Sequence, residues 1–392
     1  MNSKTTNHFI SVCEKILYGS LTIKFPIGDS YNFTGKFPGP EANIHIKDYS
    51  MINNLLAKGD LGFGEDYING LWDSDNLPFL LSVIAQNESI FSSYIYGNNF
   101  YKLFYLMKHK LHSNTRNGSH NNIAKHYSLS NEFYRLWLDE NMSYSCALFG
   151  GNIELSLEEA QQAKYNRIIN KLNIKPGENV LDIGCGWGAL AEYLAKRDIN
   201  VMAITLSEPQ IEYASQRIIN ASLEEKATIK LSDYRDITGI YDYIISIGMF
   251  EHVGVEFWPL YFKIIANHLK KGGKAMIQTI VSDEKFFGIK RNNITNFLQH
   301  YIFPGGSLPS HSSFIKLAKD SGLTCKESFV FGNDYAITLM HWLMRFEKNL
   351  NKIRALGFDE KFIRCWHFYL AYAMSGFVSK RTNVVQFELE YD

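Results

Sequence analysis

The chain has 392 residues, with 40 Lys and Arg against 40 Asp and Glu, so its formal charge is zero. That balance excludes the basic surplus expected of a nucleic-acid binder, and the length favours two domains over one. Five scattered cysteines (Cys13, Cys146, Cys185, Cys325, Cys365) form no C-x-x-C pair, which argues against a metal site or disulfide frame and for a reducing cytosol.

The first residues contain no basic stretch followed by an apolar one, and no apolar run approaches the ~20 residues of a membrane span. Membrane contact is therefore expected to be peripheral. Residues 1–90 read as a small α+β domain. Ser20–Phe25 and Ala42–Ile46 alternate as strands, and residues 50–58 and 77–86 have helical periodicity. Residues 91–122 form a separate basic-aromatic segment and linker. Tyr94, Tyr96, Phe100, Tyr101, Phe104 and Tyr105 are interleaved with Lys102, Lys108, His109 and Lys110, and a polar, breaker-rich run follows at 113–122. This segment suits either a helix lying on lipid or a helix docked between domains.

Residues 123–392 alternate strand and helix, which predicts an α/β domain with a mainly parallel sheet and helices on both faces. Ser156 and Glu159 make a capping box that opens a helix over 157–172. Strands are predicted at 179–184, 200–206, 227–231, 241–247 and 274–280. The alternation of Val385, Phe387, Leu389 and Tyr391 predicts a late, antiparallel strand.

The stretch Val180–Gly188 carries the strongest functional signal. An apolar strand ends at Asp182, and Gly184, Gly186 and Gly188 follow at every second position before a helix. Strand, glycine turn, helix is how an α/β sheet holds a nucleoside at the carboxyl end of its first strand. G-x-G-x-G is tighter than the dinucleotide G-x-G-x-x-G and suits a ligand without phosphates, such as S-adenosylmethionine. The second strand ends without a carboxylate, so Glu208 or Gln210 would have to meet the ribose. Asp233 and Tyr234, after the third strand, are placed to take the edge and face of an adenine.

Several segments together resemble the cyclopropane-fatty-acid synthase family, which includes the mycolic-acid cyclopropane synthases. They are HYSLSNEFY (126–134), MSYSC (142–146), LDIGCGWG (181–188), ITLSEPQ (204–210), SDYRD (232–236), GMFEHVG (248–254), YIFPGGSLPS (301–310) and FGNDY (331–335); GDLGFGEDYINGLWD (59–73) extends the likeness to longer, two-domain members. The resemblance implies a Rossmann-like class I methyltransferase domain with a seven-stranded sheet. It implies methyl transfer from S-adenosylmethionine to the cis double bond of an unsaturated phospholipid acyl chain at the membrane surface. A carbocation then closes to a cyclopropane as bound bicarbonate removes a proton.

By the same resemblance, Tyr144, Ser145, Asp182, Gly184, Gly186, Trp187, Gly188, Thr205, Leu206, Gln210, Asp233 and Tyr234 hold the cofactor. Cys146, Glu251, the Ile280 main chain and Tyr335 cradle the bicarbonate, with no metal. Gln278 stands where related chains carry histidine; it donates hydrogen bonds but carries no charge. That departure weakens bicarbonate binding or redirects the cation to a methyl or methylene branch. A homodimer is allowed. The rival readings are a small-amine N-methyltransferase, in which Glu251 and His252 orient the amine, and a cofactor-binding subunit without catalysis. Outside the resemblance, the plainer readings are a helix cap for Glu251, which also faces the carboxyl edge of the sheet where ligands bind, core for Cys146 and Tyr335, and core or acyl-tunnel lining for Trp137, Trp258, Trp342 and Trp366.

Overall fold

The computed structural model describes residues 4–95, 129–291 and 296–391. The chain divides into two compact units, one drawn from Met1–Leu111, Gly288–Pro304 and Trp342–Arg381, the other from His112–Phe287, Gly305–His341 and Thr382–Asp392. Among the described residues, no helix is long and apolar enough to cross a membrane.

The first unit contains a four-stranded sheet of β1 (Tyr18–Lys24), β2 (Ser30–Thr34), β3 (Phe37–Ile46) and β4 (Trp72–Asp73), in the order β2-β1-β3-β4. Helices Ser50–Lys58 and Leu77–Gln86 match the periodicity read from the sequence. The division at residue 123 needs correction. Helix Glu360–Val378 belongs with the N-terminal module, because the module's core requires it. Phe368 packs on Phe63, Tyr67 and Trp72, and Arg364 donates to the carbonyls of Tyr67 and Trp72 and to Asp73. A Cβ on Gly64 would lie 2.4 Å from the Phe297 ring, so this glycine permits the close approach of a segment more than two hundred residues away. The basic-aromatic segment lies outside the described residues beyond residue 95, as do His126 and Tyr127.

The second unit is an α/β domain. Its strands are β5 (Asn179–Ile183), β6 (Asn200–Thr205), β7 (Ala227–Leu231), β8 (Tyr241–Ile247), β9 (Leu269–Ser282), β10 (Leu323–Val330) and β11 (Thr382–Tyr391). Their order is β10-β11-β9-β8-β5-β6-β7. Strands β5 to β9 pair in parallel, and β11 runs antiparallel between β9 and β10. Alternate residues face opposite cores. Val180, Ile245 and Met276 enter one cluster, while Leu181, Ile183, Ile244 and Ile277 enter the other. Burial on both faces explains why these strands read as continuous apolar runs. The chain steps from β5 to β6 and β7, then returns to β8 on the other side of β5. That reversal leaves a crevice at the strands' carboxyl ends, where open α/β sheets bind ligands.

Candidate active site

The three glycines after β5 are all left-handed, with φ of +82°, +54° and +79° at Gly184, Gly186 and Gly188, and their surroundings differ. A Cβ on Gly184 would meet the Met249 side chain at 2.9 Å, and one on Gly188 would meet Ala214 at 2.9 Å. A Cβ on Gly186 would meet nothing within 4 Å, because this glycine faces open space. Gly188 opens helix Ala189–Ala195 and sets its approach to helix Glu208–Asn220. It is not among the residues that line the pocket, which its neighbours Trp187 and Ala189 are.

One pocket collects Tyr144, Ser145, Asp182, Gly184, Gly186 and Trp187 with Thr205, Leu206, Gln210 and Tyr234. Asp182 is buried at the end of β5 and its Oδ2 has no hydrogen-bond partner. Burial raises its carboxyl to about 7. Thr205 Oγ1 donates to Gln210 Oε1 at 2.8 Å, which leaves the Gln210 amide NH₂ as the polar end offered to a ligand. Of the two residues left open by the sequence, Gln210 lines the pocket, and Glu208 is exposed and not among its lining residues. Asp233 is not among the lining residues, though Ser232 and Tyr234 are; its carboxylate accepts from Arg235, at 2.8 Å from Nε and 2.6 Å from Nη2. Trp187 is held by its indole N–H to Asn131 Oδ1 at 2.8 Å, with Tyr134 against its ring.

The remaining predicted residues meet beside this pocket. Glu251 follows β8 in a short 3-10 turn and caps no helix. Its Oε1 accepts the Ile280 N–H from β9 at 2.6 Å, and its buried Oε2 has no partner. Burial lifts this carboxyl to about 7. The Ile280 N–H, expected to meet an anion directly, is thus engaged by Glu251. The Glu251 carbonyl accepts the Ser307 N–H at 2.8 Å, which ties the GGSLPS segment to the site. Cys146 is fully buried in a cluster with Phe331 and Val384, against which Tyr335 packs; Val384 sits opposite Ile280 in register. The Cys146 thiol donates to Ala147 O at 3.2 Å, and burial pushes its pKa well above the usual range. It is a neutral thiol and no nucleophile. Gln278 donates from Nε2 to Cys146 O at 3.4 Å. His252 lines the cofactor-side pocket and is kept neutral by burial, with a pKa of about 4.

Three further side chains organise the site and were not picked out from the sequence. Lys164 is fully buried, donating to Ser145 Oγ at 2.7 Å and Gln161 Oε1 at 2.6 Å. Gln161 Nε2 in turn holds Ser145 O at 2.9 Å, and Asp139 takes the Ser143 N–H at 2.6 Å. Together they fix residues 143–146, a segment shared by the pocket and the Glu251 cluster. Desolvation lowers the Lys164 ammonium to about 8. A signal was available: Leu157, Gln161, Lys164, Ile168 and Leu172 fall on one buried stripe of helix Leu157–Leu172, and polar residues there demand partners.

A family described as mycolic acid cyclopropane synthetase matches residues 114–387. The chain belongs to that family. It is an S-adenosylmethionine-dependent methyltransferase of the cyclopropane synthase type. Tuberculostearic acid methyltransferase UfaA1 of Mycobacterium tuberculosis is 35% identical over 359 residues, covering 89% of this chain and 83% of that protein. Cyclopropane-fatty-acyl-phospholipid synthase of Escherichia coli K12 is 35% identical over 331 residues, covering 84% and 82%. Among solved structures, mycolic acid cyclopropane synthase CmaA1 complexed with SAH and CTAB superposes with a TM-score of 0.64 at 31% identity, covering 69% of this chain and 98% of that one. Coclaurine N-methyltransferase superposes with a TM-score of 0.64 at 20% identity, a likeness of fold alone.

Proposed function

We propose that this enzyme transfers the methyl of S-adenosylmethionine to the cis double bond of an unsaturated phospholipid acyl chain and closes a cyclopropane ring, with bicarbonate as the base. The pocket residues fit the cofactor. Open space over Gly186 admits a ligand against the backbone, and Asp182 Oδ2 offers an unpartnered acceptor to hydroxyl groups. When bound, the cofactor supplies an electrophilic methyl and bicarbonate supplies the proton acceptor. The alkene would take that methyl with loss of the sulfonium bond, and the proton shed as the ring closes would pass to the base held beside Glu251.

The observation that carries the reading is Glu251, with one oxygen pinned to Ile280 and the other buried and unpartnered. Raised by burial to about 7, Glu251 holds a proton more readily than an ordinary carboxylate and donates it through Oε2 to an anion that a full carboxylate would repel. The neutral Cys146 thiol and the Tyr335 ring wall the site without adding charge or water, which protects a cation from quenching. Access to a bilayer lipid requires reversible docking at the inner face of the membrane. The lysines and aromatics of residues 96–110 supply the composition for it, Tyr94 being buried against Phe9 at the end of helix Glu88–Ile95, and serine in place of Tyr101, Phe104 and Tyr105 is expected to weaken vesicle binding alone.

The test is turnover on vesicles of unsaturated phospholipid with labelled cofactor, with and without bicarbonate. The expected product gains the mass of one CH₂, resists hydrogenation, and forms faster as bicarbonate is restored after degassing. A product that takes up hydrogen would show a methylene branch, and a saturated methyl branch would show reduction; either overturns ring closure while leaving methyl transfer intact.

A further inference from the structure

Gln278 and Gln386 lie directly opposite each other on β9 and β11, and Phe329 on β10 lies opposite Gln386. Arg167, from helix Leu157–Leu172, reaches this row. Its guanidinium stacks over Phe329 at 3.9 Å, pairs with Glu327 at 2.6 Å, and donates from Nη1 to Gln386 Oε1 at 2.5 Å. Gln386 Nε2 donates to Gln278 Oε1 at 3.0 Å, and Gln278 Nε2 donates to Cys146 O at 3.4 Å. Both glutamines are almost wholly buried, 2% and 1% exposed at 278 and 386.

An amide can be turned over without changing its shape, so its direction is fixed only by its neighbours. Arginine has donors and no acceptor. The Gln386 atom facing Arg167 must therefore be oxygen, and the atom facing Gln278 must be the NH₂. Gln278 must accept there with its own oxygen, which turns its NH₂ toward Cys146. Every link has one polarity, and that polarity is set by a cation, 14% exposed, at the outer end of the row.

We propose that Arg167 and Gln386 are positioning residues that hold Gln278 as a hydrogen-bond donor to the anion beside Glu251. This rests on the reading of bicarbonate as the base. One Gln278 N–H is directed at Cys146 O; the other is the neutral donor for the anion, needed because Glu251 has taken the Ile280 N–H. Without the arginine, the two amides lose their reason to point this way, and an oxygen turned toward the site would repel the anion.

Gln386→Glu is the deciding variant. It keeps the size and the Arg167 pair but can only accept. Gln278 must then donate to it and turn its oxygen toward the site. The measurement is binding of ¹³C-labelled bicarbonate by NMR in cofactor-free protein, together with the bicarbonate KM in turnover. Bicarbonate affinity is expected to fall about tenfold or more, as for a lost hydrogen bond to a charged group, with cofactor affinity unchanged. Arg167→Met, which leaves Glu327 paired with Lys171, is expected to lower affinity in the same direction by a smaller factor, and serves if the buried carboxylate prevents folding. Wild-type bicarbonate affinity in a folded Gln386→Glu or Arg167→Met protein overturns the positioning role. Absence of bicarbonate binding in the unaltered protein, with turnover indifferent to it, overturns the base assignment itself and this inference with it.

Discussion

Glu251 and Ile280 are joined by one hydrogen bond of 2.6 Å that uses a single carboxylate oxygen and leaves its twin buried without a partner. The pairing makes the acid rigid and keeps one of its ends available for chemistry. Glu251→Gln retains the size and an acceptor for the Ile280 N–H but cannot exchange a proton. Turnover is expected to fall by roughly a hundred- to ten-thousand-fold, while cofactor affinity moves by less than about tenfold. Near-normal turnover in this variant would remove Glu251 from the reaction.

Gly186 and Gly188 give opposite expectations. Gly186→Val projects into open space where the cofactor is to lie, so binding should be lost while the fold survives; the left-handed backbone adds a strain of about 1–2 kcal/mol. Gly186→Ala carries most of that strain with less bulk and serves as its control. Gly188→Val collides with Ala214 instead, and should lower the melting temperature much more than Gly186→Val does. Calorimetry and thermal unfolding on the same variants separate the two roles; intact binding in Gly186→Val would refute the first.

Asp182 makes ligand-free stability depend on pH. Its carboxyl titrates at about 7 when folded and at about 4 when unfolded. Between these values the folded chain holds the extra proton, so its stabilising effect is complete below about pH 4 and is lost as pH rises through 7. Glu251 acts in the same sense, and His252, lowered to about 4, in the opposite one. The comparison is therefore between wild type and Asp182→Asn. The variant's stability should change with pH less negatively, by about 1.4 kcal/mol per pH unit within the window. If the ligand binds the ionised carboxylate, cofactor affinity in the wild type rises toward pH 7 and levels off, and proton release on binding measures it directly. Denaturation curves of identical slope with pH would place Asp182 in the ordinary carboxylate range.

Lys164 donates to neutral partners, and the buried Asp139 carboxylate favours its charge. Lys164→Met removes the desolvated cation but leaves Asp139 without that charge and Gln161 Oε1 without its donor, a loss on one side of a buried pair that destabilises. Thermal stability is expected to fall, and cofactor affinity to fall by about tenfold, equivalent to one hydrogen bond of roughly 1.4 kcal/mol, because Ser145 loses its anchor. A variant that is destabilised yet binds cofactor normally would make Lys164 structural only.

The central strands were readable in the sequence because they are apolar on both faces and their helices are amphipathic, whereas β10, with Leu323 its one buried residue, was not picked out. The capping box of Ser156 and Glu159 forms as expected, with both reciprocal bonds present. What the sequence did not show depends on register or distance. Gly188 belongs to the same motif as Gly186, and only the helix carrying Ala214 distinguishes them. The link of Gln386 to Gln278 spans 108 residues and exists only once β11 is aligned on β9. Helix Glu360–Val378 has an ordinary apolar face, and nothing local says that Trp72 and Phe63 are what it covers.

The place of β11 makes assembly of the site a two-step affair in time. The pocket at the ends of β5, β6 and β8 is built from residues 142–253, mostly through successive β-α units that close over short loops. The row containing Gln278 needs β11 to thread between β9 and β10 in one register, a distant pairing of the sort that forms slowly. A slip of one residue would set Val385 or Phe387 opposite Gln278 and seal the arginine off with hydrocarbon. During refolding, the ability to hold the nucleoside should thus return ahead of the ability to finish the ring, with the interval set by the docking of a single strand.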